Sequence, residues 1–364
     1  MKDKNYLDLI LFISVCLIAG FGVIMVYSAS EIWAEYKWND PFKFARQQGI
    51  FFILGIILML ILSKIDYGIY KKRANIILMI CFLLLVLVLI PGIGMIRNGS
   101  RSWFGIGGFG IQPSEFAKIA LIIFVSKYLA NNQKEIGNIR KGVLPILGII
   151  AIFFLVIMLQ PDFGTAVVII LSLVGLLFIS GVKTSFFFKI GLFGLLGMIG
   201  LIIVAPYRIA RIASFLNPWN DPLGAGFQII QSLYAIGPGG FLGMGFLNSH
   251  QKHFFLPEPQ TDFIFSIISE EFGFLGVLIV CFFFIVLFYR CVKIALSTTD
   301  LFAKYLVFGL SFAIIIQAAL NLMVVVGIIP VTGVTLPFFS YGGSSLLVSM
   351  ASIGIILNIS RFVK

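Results

Sequence analysis

The sequence predicts an all-α, polytopic membrane protein with ten transmembrane helices. Two features of the composition support this class: 60% of the 364 residues are hydrophobic and only 11% are charged, whereas a soluble globular domain has about 45–50% apolar residues. A third is that apolar runs of bilayer-spanning length, about 20 residues each, recur along the chain. We therefore expect a single membrane domain over residues 1–364, with no separate soluble domain.

Polar or glycine-rich segments separate the ten expected spans. The first span follows Lys2 and Lys4 and is longer than the h-region of a cleaved signal peptide, which has about 7–15 apolar residues. We therefore interpret it as an uncleaved signal anchor. The spans are residues 9–29, 48–63, 74–91, 113–129, 143–159, 163–181, 190–205, 262–290, 303–329 and 344–359.

The distribution of Lys and Arg predicts the orientation. Most of the 26 basic residues share one face if both termini are cytoplasmic, as the positive-inside rule requires. Lys118 lies inside a span. A basic outer face indicates an anionic partner, such as lipid phosphate or pyrophosphate, with anchoring to headgroups as the alternative; no nucleic acid is expected. The basic residues of the outer segments are Lys37, Lys43, Arg46, Arg97, Arg101, Arg208, Arg211 and Lys252.

Two outer connections are long enough to have structure of their own. Residues 95–112 are rich in glycine and contain Trp103. Residues 206–261 form one large extracellular loop between helices 7 and 8, which is improbable as a structureless segment. Within it, residues 225–235 have helical periodicity and the Gly-Pro-Gly-Gly of 237–240 would end that helix. We expect a re-entrant or interfacial element over the outer mouth of the bundle.

Three similar motifs place a carboxylate at the outer start of a helix: QPSE ending at Glu115, QPDF containing Asp162, and QTDF containing Asp262. For each of these acids, ordinary helix-start chemistry is the alternative to a functional role. Glu115 also has Lys118 three residues later, so these two charges could neutralise each other.

Asp262 differs from the other two acids because the large loop leads directly into it. If a helix begins at Thr261, Asp262 shares one face with Ser266, Glu270 and Gly273. A polar stripe on a membrane helix should face protein or water rather than lipid. The sequence therefore makes Asp262 the first candidate for chemistry.

Metal and disulfide chemistry find little support. The four cysteines lie in or at the ends of spans without C-x-x-C spacing, and His250 and His253 share a loop without further ligands. We therefore predict no disulfide and no metal-ligand residues.

An ordered series of motifs runs along the chain: YSAS (27–30), NGSRSW (98–103), QPSEFAK (112–118), QPDFGT (160–165), PWNDP (218–222), GFQ (226–228), PEPQTDF (257–263) and NLMVVVGIIPVTGVTLPFFSYGGSS (321–345). Together these motifs resemble the SEDS family (shape, elongation, division and sporulation) over almost the whole chain. The loop GFLNSHQKHFFLPEPQTDF, residues 245–263, is most similar to the division and sporulation branch, FtsW and SpoVE, rather than to the rod-elongation branch, RodA. Departures are Gln260, where many members have His, and His250, where Arg is common.

The resemblance implies a peptidoglycan glycosyltransferase in the bacterial cytoplasmic membrane, with its active site on the extracellular face. Such enzymes polymerise lipid II, an undecaprenyl-pyrophosphate disaccharide peptide, into β-1,4-linked glycan strands and release undecaprenyl pyrophosphate. It also implies a class B penicillin-binding transpeptidase and other division or sporulation membrane proteins as partners. A lipid II flippase and a non-catalytic division scaffold are the alternatives. Clustering of the motifs at the outer face favours the polymerase, because a transporter needs a midplane site.

Residue roles follow from the resemblance and from the chemistry of glycosyl transfer. Asp262 corresponds to the family's essential loop aspartate and would deprotonate the acceptor 4-hydroxyl, with inversion at the donor carbon. Trp103 could stack on a sugar or belong to the interfacial aromatic belt. Ser344 could present a helix N-terminus to a phosphate or serve close helix packing. A divalent cation, Mg²⁺ or Mn²⁺, is left open. The expected pyrophosphate-binding group is Lys118 held by Glu115, with Arg101, Arg208, Arg211 and Lys252.

Overall fold

The protein is a bundle of long helices with one small sheet and one large loop at the same end. The computed structural model describes residues 7–97, 99–106, 109–204, 209, 214–224 and 226–363. Within these ranges the α-helices are α1 Leu9–Trp38, α2 Lys43–Leu62, α3 Tyr67–Leu87, α4 Pro113–Asn131, α5 Leu144–Met158, α6 Phe163–Ile179, α7 Thr184–Val204, α8 Phe227–Ile236, α9 Ile264–Ser297, α10 Leu301–Val325 and α11 Gly343–Ser360.

Each of the ten expected spans coincides with one long helix, α1–α7 or α9–α11. Six of the described helices are both long and apolar enough to cross a membrane: α1, α2, α9, α10, α11 and the continuous run Ile139–Met158 that includes α5. The chain is therefore a mostly helical multi-pass protein. Helix α1 continues nine residues past the expected 9–29, because helical backbone persists through Trp33 and Trp38 after the apolar run has ended.

Helices α10 and α11 form the centre of the bundle. Helix α11 packs against α2, while α10 packs against α4, α6 and α9, and α1 lies between α2 and α9. Small residues permit the close approaches: a Cβ added to Gly354 would lie 2.7 Å from the main-chain oxygen of Met59. Burial on all sides means that polar groups on α10 must find partners inside the protein.

Asp residues cap several helix starts. The Asp8 side chain accepts from the Leu11 amide at 3.0 Å, and Asp300 accepts from the Phe302 amide at 3.0 Å. An Asp at this position satisfies one of the unpaired amides of the first turn. The residues at which α1 and α10 begin are thus set by capping Asp residues that can be recognised in the sequence.

Residues 95–112 correct the all-α expectation. They form a three-stranded antiparallel sheet in the order β1 Met95–Arg97, β2 Ser100–Ile106 and β3 Phe109–Ile111. Gly99, with φ of +81°, lies in the tight connection between the first two strands. Within β2, Ser102 is buried and Trp103 is half-buried.

The large loop is inserted into a break in α9. Gly273, inside α9, has the non-helical angles φ +62° and ψ −156°. There the Met244 and Gly245 amides donate to the oxygens of Glu270 and Glu271, and the Phe274 amide donates to Gly240. These bonds replace the helical ones that the break removes. The predicted helix within the loop is confirmed as α8, and Gly237–Gly239 follow its end. Its re-entrant or interfacial placement stays a prediction.

Candidate active site

Asp262 lies in a turn that immediately precedes α9, not on the helix itself. Helix α9 begins at Ile264, so the prediction of a helix starting at Thr261 is wrong and Asp262 does not continue the face of Ser266 and Glu270. The reason is local: the Thr261 amide bonds to the Glu258 oxygen at 3.0 Å, which closes a turn at this point. The Asp262 side chain is half-buried.

The end of α10 and the segment that joins it to α11 contact this turn. The Asn321 side-chain nitrogen donates to the Asp262 main-chain oxygen at 2.7 Å, and the Tyr341 amide donates to the Gln260 oxygen at 2.8 Å. A Cβ built on Gly333 would lie 3.8 Å from Oδ2 of Asp262. Burial raises the pKa of the Tyr341 hydroxyl, and the charge of Arg97 partly opposes this. The hallmark segment 321–345 therefore forms one wall around the candidate base.

Lys118 and Glu115 form a buried ion pair on α4. Lys118 Nζ lies 2.8 Å from Glu115 Oε2 and donates to Gln317 Oε1 at 2.6 Å. Gln317 in turn donates from Nε2 to the Thr335 oxygen at 3.1 Å and to Ser345 Oγ at 3.3 Å. The expected pairing of Lys118 with Glu115 is confirmed. The network links α4, α10 and α11 across the middle of the bundle.

Gln317 and Asn321 are the functional candidates that the sequence reasoning missed. They are four residues apart on α10, and both are almost fully buried. The available signal was two carboxamides on one face of an otherwise apolar span, since residues at i and i+4 lie one above the other on a helix. Polar residues inside a membrane span normally face protein partners.

Asp162 joins the sheet region to α6. Its Oδ2 accepts from Gln112 Nε2 and Ser114 Oγ, each at 2.9 Å, and its Oδ1 accepts from the Thr165 amide at 3.3 Å. These partners fit a helix cap combined with a cross-link between the starts of α4 and α6. Asp162 therefore has a structural explanation.

The sheet presents an aromatic and cationic surface beside these helix starts. The Arg97 guanidinium lies 5.0 Å from the centre of the Trp103 ring, a cation–π arrangement. Arg101 precedes Trp103 on β2 and is half-buried. The predicted contacts of Trp103 with sugar and of Arg101 with pyrophosphate stay predictions.

Ser344 connects α11 to the sheet. Its hydroxyl donates to the Gly110 oxygen at 3.0 Å and accepts from the Gln112 amide at 3.1 Å. A Cβ on the neighbouring Gly343 would meet the Phe51 ring at 2.4 Å. Both observations fit the close-packing interpretation of this sequence, while phosphate binding by the helix start stays a prediction.

Lys252 is buried between two acids of different helices. Its Nζ lies 2.7 Å from Glu31 Oε1 on α1 and 3.6 Å from Glu271 Oε1 on α9. Ser28 also donates to Glu271. The predicted contact of Lys252 with pyrophosphate is not tested by this arrangement. What the arrangement does provide is a fixed attachment of the large loop to the bundle.

Glu270 makes a second attachment of the same loop. Its carboxylate accepts from the Ser249 hydroxyl and from the main-chain amides of His250, at 2.8 Å, and Gln251, at 3.4 Å. A carboxylate that accepts several hydrogen bonds is well compensated for burial. Glu270 and Glu271 are therefore anchors for residues 249–252.

Two predicted cations, Arg208 and Arg211, lie outside the described residues. Across the part of the chain that the structure describes, no three or more His, Cys, Asp or Glu side chains form a group that could hold a metal ion.

The fold and this end of the bundle define a multi-pass helical protein in which the large loop leads into a half-buried acid, Asp262, whose main chain is bonded to the buried Asn321. A family model described as "Cell cycle protein" and named for FtsW, RodA and SpoVE matches residues 8–364, so the chain belongs to this family.

Similar proteins agree over nearly the full length. Stage V sporulation protein E of Bacillus subtilis (strain 168) is 52% identical over 359 residues, 99% of this chain and 98% of that protein. Probable peptidoglycan glycosyltransferase FtsW of Geobacter sp. (strain M18) is 40% identical over 360 residues, with 99% and 98% covered. The resemblance to the division and sporulation branch is thus confirmed.

Solved structures share the fold over nearly the full length. RodA of Thermus thermophilus is 28% identical with a TM-score of 0.73 and covers 98% of this chain and 97% of its own. A chain from a peptidoglycan synthase complex, described for coordinating polymerization and crosslinking, is 30% identical with a TM-score of 0.80 and covers 98% of each chain.

Proposed function

We propose that this protein is a peptidoglycan glycosyltransferase that polymerises lipid II into β-1,4-linked glycan strands during cell division or sporulation. Membership of the family and the names of its relatives support the activity. The single observation that carries the site is the half-buried Asp262, held by its main chain between the large loop and the hallmark segment.

The reaction assigns a proton acceptor and a charged pocket to this end of the bundle. The acceptor 4-hydroxyl gives its proton to Asp262 as its oxygen attacks the donor anomeric carbon. The bond from that carbon to the pyrophosphate oxygen breaks, and undecaprenyl pyrophosphate leaves with the electron pair. One displacement gives inversion. Cations placed at the leaving group stabilise the charge that develops there.

The residues predicted to contact the substrate differ in how exposed they are. Arg101 and Trp103 lie on the half-buried sheet surface, where a lipid-linked disaccharide can reach them. Lys118 lies deeper, bonded to Glu115 and Gln317, so it would act on the leaving group through the field of a fixed positive charge or after a partner is displaced. A bound Mg²⁺ or Mn²⁺ would supply further charge neutralisation. Among the described residues, no three or more His, Cys, Asp or Glu side chains form a group that could hold such an ion.

Topology and partners complete the proposal. Ten spans with both termini cytoplasmic would place Asp262 on the extracellular face of the bacterial cytoplasmic membrane, where lipid II and the nascent strand are available. The solved relative in a peptidoglycan synthase complex supports a transpeptidase partner of the penicillin-binding class.

The direct test is purified protein, with and without its cognate transpeptidase, incubated with lipid II and assayed for glycan chains. We expect Asp262→Asn to lower turnover by at least about 100-fold, because general-base catalysis typically contributes 10²–10⁴-fold. The matched control is Asp300→Asn, which alters an acid that caps α10 and should leave turnover within about twofold. Chain growth at the wild-type rate in Asp262→Asn would refute the base assignment.

A further inference from the structure

Asn321 is a buried amide that bonds to the main chain of the candidate base. It lies in the last turns of α10 and is 1% exposed. Its Nδ2 donates to the main-chain oxygens of Asp262 and Val334, each at 2.7 Å. A carboxamide nitrogen has two hydrogens, so both are used. One side chain therefore joins two segments that are far apart in sequence.

The second of these segments lies beside the carboxylate of Asp262. Val334 follows Gly333, whose φ of +74° is a conformation that residues with a side chain rarely adopt. The position that a Gly333 Cβ would occupy is 3.8 Å from Oδ2 of Asp262. Asn321 thus fixes the main chain at Asp262 relative to the main chain at Gly333 and Val334, which the Asp262 carboxylate faces.

The turn that carries Asp262 depends on such contacts because it lies outside the hydrogen-bond ladder of α9, which begins at Ile264. The Gln260 oxygen is held by the Tyr341 amide at 2.8 Å, and the Asp262 oxygen is held by Asn321. Both bonds come from the α10–α11 side of the site. Without the hydrogen bond from Asn321, the Asp262 peptide would keep its local turn but would no longer be fixed in position relative to the α10–α11 segment.

We propose that Asn321 is a positioning residue for Asp262, and this rests on the proposed function. Its amide does not touch the reacting atoms. It holds Asp262 in the position, relative to the α10–α11 segment, from which its carboxylate can deprotonate the acceptor hydroxyl. Misplacement of a catalytic group by about 1 Å can cost about 10²-fold in rate. Loss of Asn321 should therefore appear in kcat, while substrate binding by the remaining surface persists.

Asn358 offers a matched control for a purely structural amide. It lies on α11, is 2% exposed, donates to the Ser63 oxygen at 3.0 Å and accepts from the Tyr67 amide at 3.0 Å. Like Asn321 it is a buried carboxamide that joins helix ends. It lies about 20 Å along α11 from Ser344, at 1.5 Å per residue, and so at the opposite end from Asp262.

The experiment compares Asn321→Leu with Asn358→Leu in the full chain bound to its transpeptidase, with lipid II as substrate. Leu keeps the branched arrangement of side-chain heavy atoms and removes the hydrogen-bond donors. We expect both variants to lower the unfolding temperature. Asn321→Leu should also lower kcat about 10–100-fold with KM within about threefold, whereas Asn358→Leu should keep kcat within about twofold. If Asn321→Leu does not fold, Asn321→Ser, which retains one donor, should show an intermediate loss of kcat.

A double variant separates positioning from general destabilisation. Residues that act as one unit are non-additive, so adding Asn321→Leu to Asp262→Asn should lower kcat by less than about twofold further. Equal kcat losses at Asn321 and Asn358, a change confined to KM, or full additivity with Asp262→Asn would each overturn the positioning role. An inactive wild-type complex would instead overturn the proposed function itself.

Discussion

At the residue scale, the buried acids of this protein divide into anchors and one candidate base. Asp162, Glu270 and Glu271 have partners that join one helix or loop to another, and Glu115 pairs with Lys118 of its own helix, which in turn bonds to Gln317 on α10. Such partners offset the several kcal/mol that burying a charge costs. Asp262 differs in position, because it lies in the turn between the large loop and α9.

The Lys118–Glu115 pair allows stability and turnover to be separated. Both side chains are 7% exposed, so Lys118→Met leaves Glu115 buried without its cation and should destabilise the fold by about 3–5 kcal/mol. The double variant Lys118→Met with Glu115→Gln removes both charges and should recover most of that loss. Thermal unfolding in detergent measures both effects.

Turnover of the double variant then tests the role of Lys118. If its positive charge stabilises the leaving pyrophosphate, the stable double variant should still polymerise lipid II at least about tenfold more slowly than the wild type, since one electrostatic donor typically contributes about 10²–10³ to kcat. A double variant that is both stable and fully active would remove Lys118 from the active site.

At the element scale, the sequence predicts what depends on local pattern. Long apolar runs revealed every long helix, and helical periodicity with Gly-Pro-Gly-Gly revealed α8. Its limits are also physical. The length of an apolar run indicates how much of a helix lies in hydrocarbon and not how long the helix is, so the sequence does not predict the end of α1 at Trp38. The exchange of hydrogen bonds at Gly273 joins segments distant in sequence, and no local pattern encodes it.

The break in α9 predicts a severe effect of Gly273→Ala. A Cβ there would lie 2.4 Å from the Gly243 nitrogen and 2.7 Å from the Gly239 oxygen, at a positive φ. Backbone strain of this kind costs about 1–3 kcal/mol, and the clash adds to it, so residues 239–245 should be displaced. Limited proteolysis should show faster cleavage in the large loop.

Gly194→Ala is the control for Gly273→Ala. Gly194 lies in α7, where an added Cβ meets nothing within 4 Å, and Ala in a helix is favoured over Gly by about 1 kcal/mol. This variant should be at least as resistant to protease as the wild type. Equal resistance of both variants would show that the loop does not depend on the break.

At the scale of the whole molecule, the large loop is held at two places that together determine where Asp262 lies. Residues 249–252 are bonded to α1 and α9 through Glu31, Glu270 and Glu271, and residues 260–262 are bonded to the α10–α11 segment. The sequence predicted the cover but not these attachments. The sequence predicts Lys252 as a ligand for pyrophosphate but does not show its ion pairs, because a paired and an unpaired cation have the same sequence. The contact with pyrophosphate stays a prediction.

Lys252→Met should therefore release the first attachment. Its side chain is 1% exposed and Glu271 is fully buried, whereas Glu31 is 18% exposed. The loss should be somewhat below the about 3–5 kcal/mol of a fully buried pair. Hydrogen exchange measured by mass spectrometry should rise at least about tenfold in residues 244–262, which corresponds to about 1.4 kcal/mol, while α10 and α11 stay protected.

Replacing Glu31 and Glu271 by Gln in the Lys252→Met chain should restore protection, because no unpaired charge then stays buried. Arg46→Met, which breaks an exposed pair with Asp40, should leave exchange unchanged, since such pairs contribute about 0–1 kcal/mol. If Lys252→Met exchanges like Arg46→Met, the loop is held by its hydrogen bonds to α9 and not by the Lys252 ion pairs.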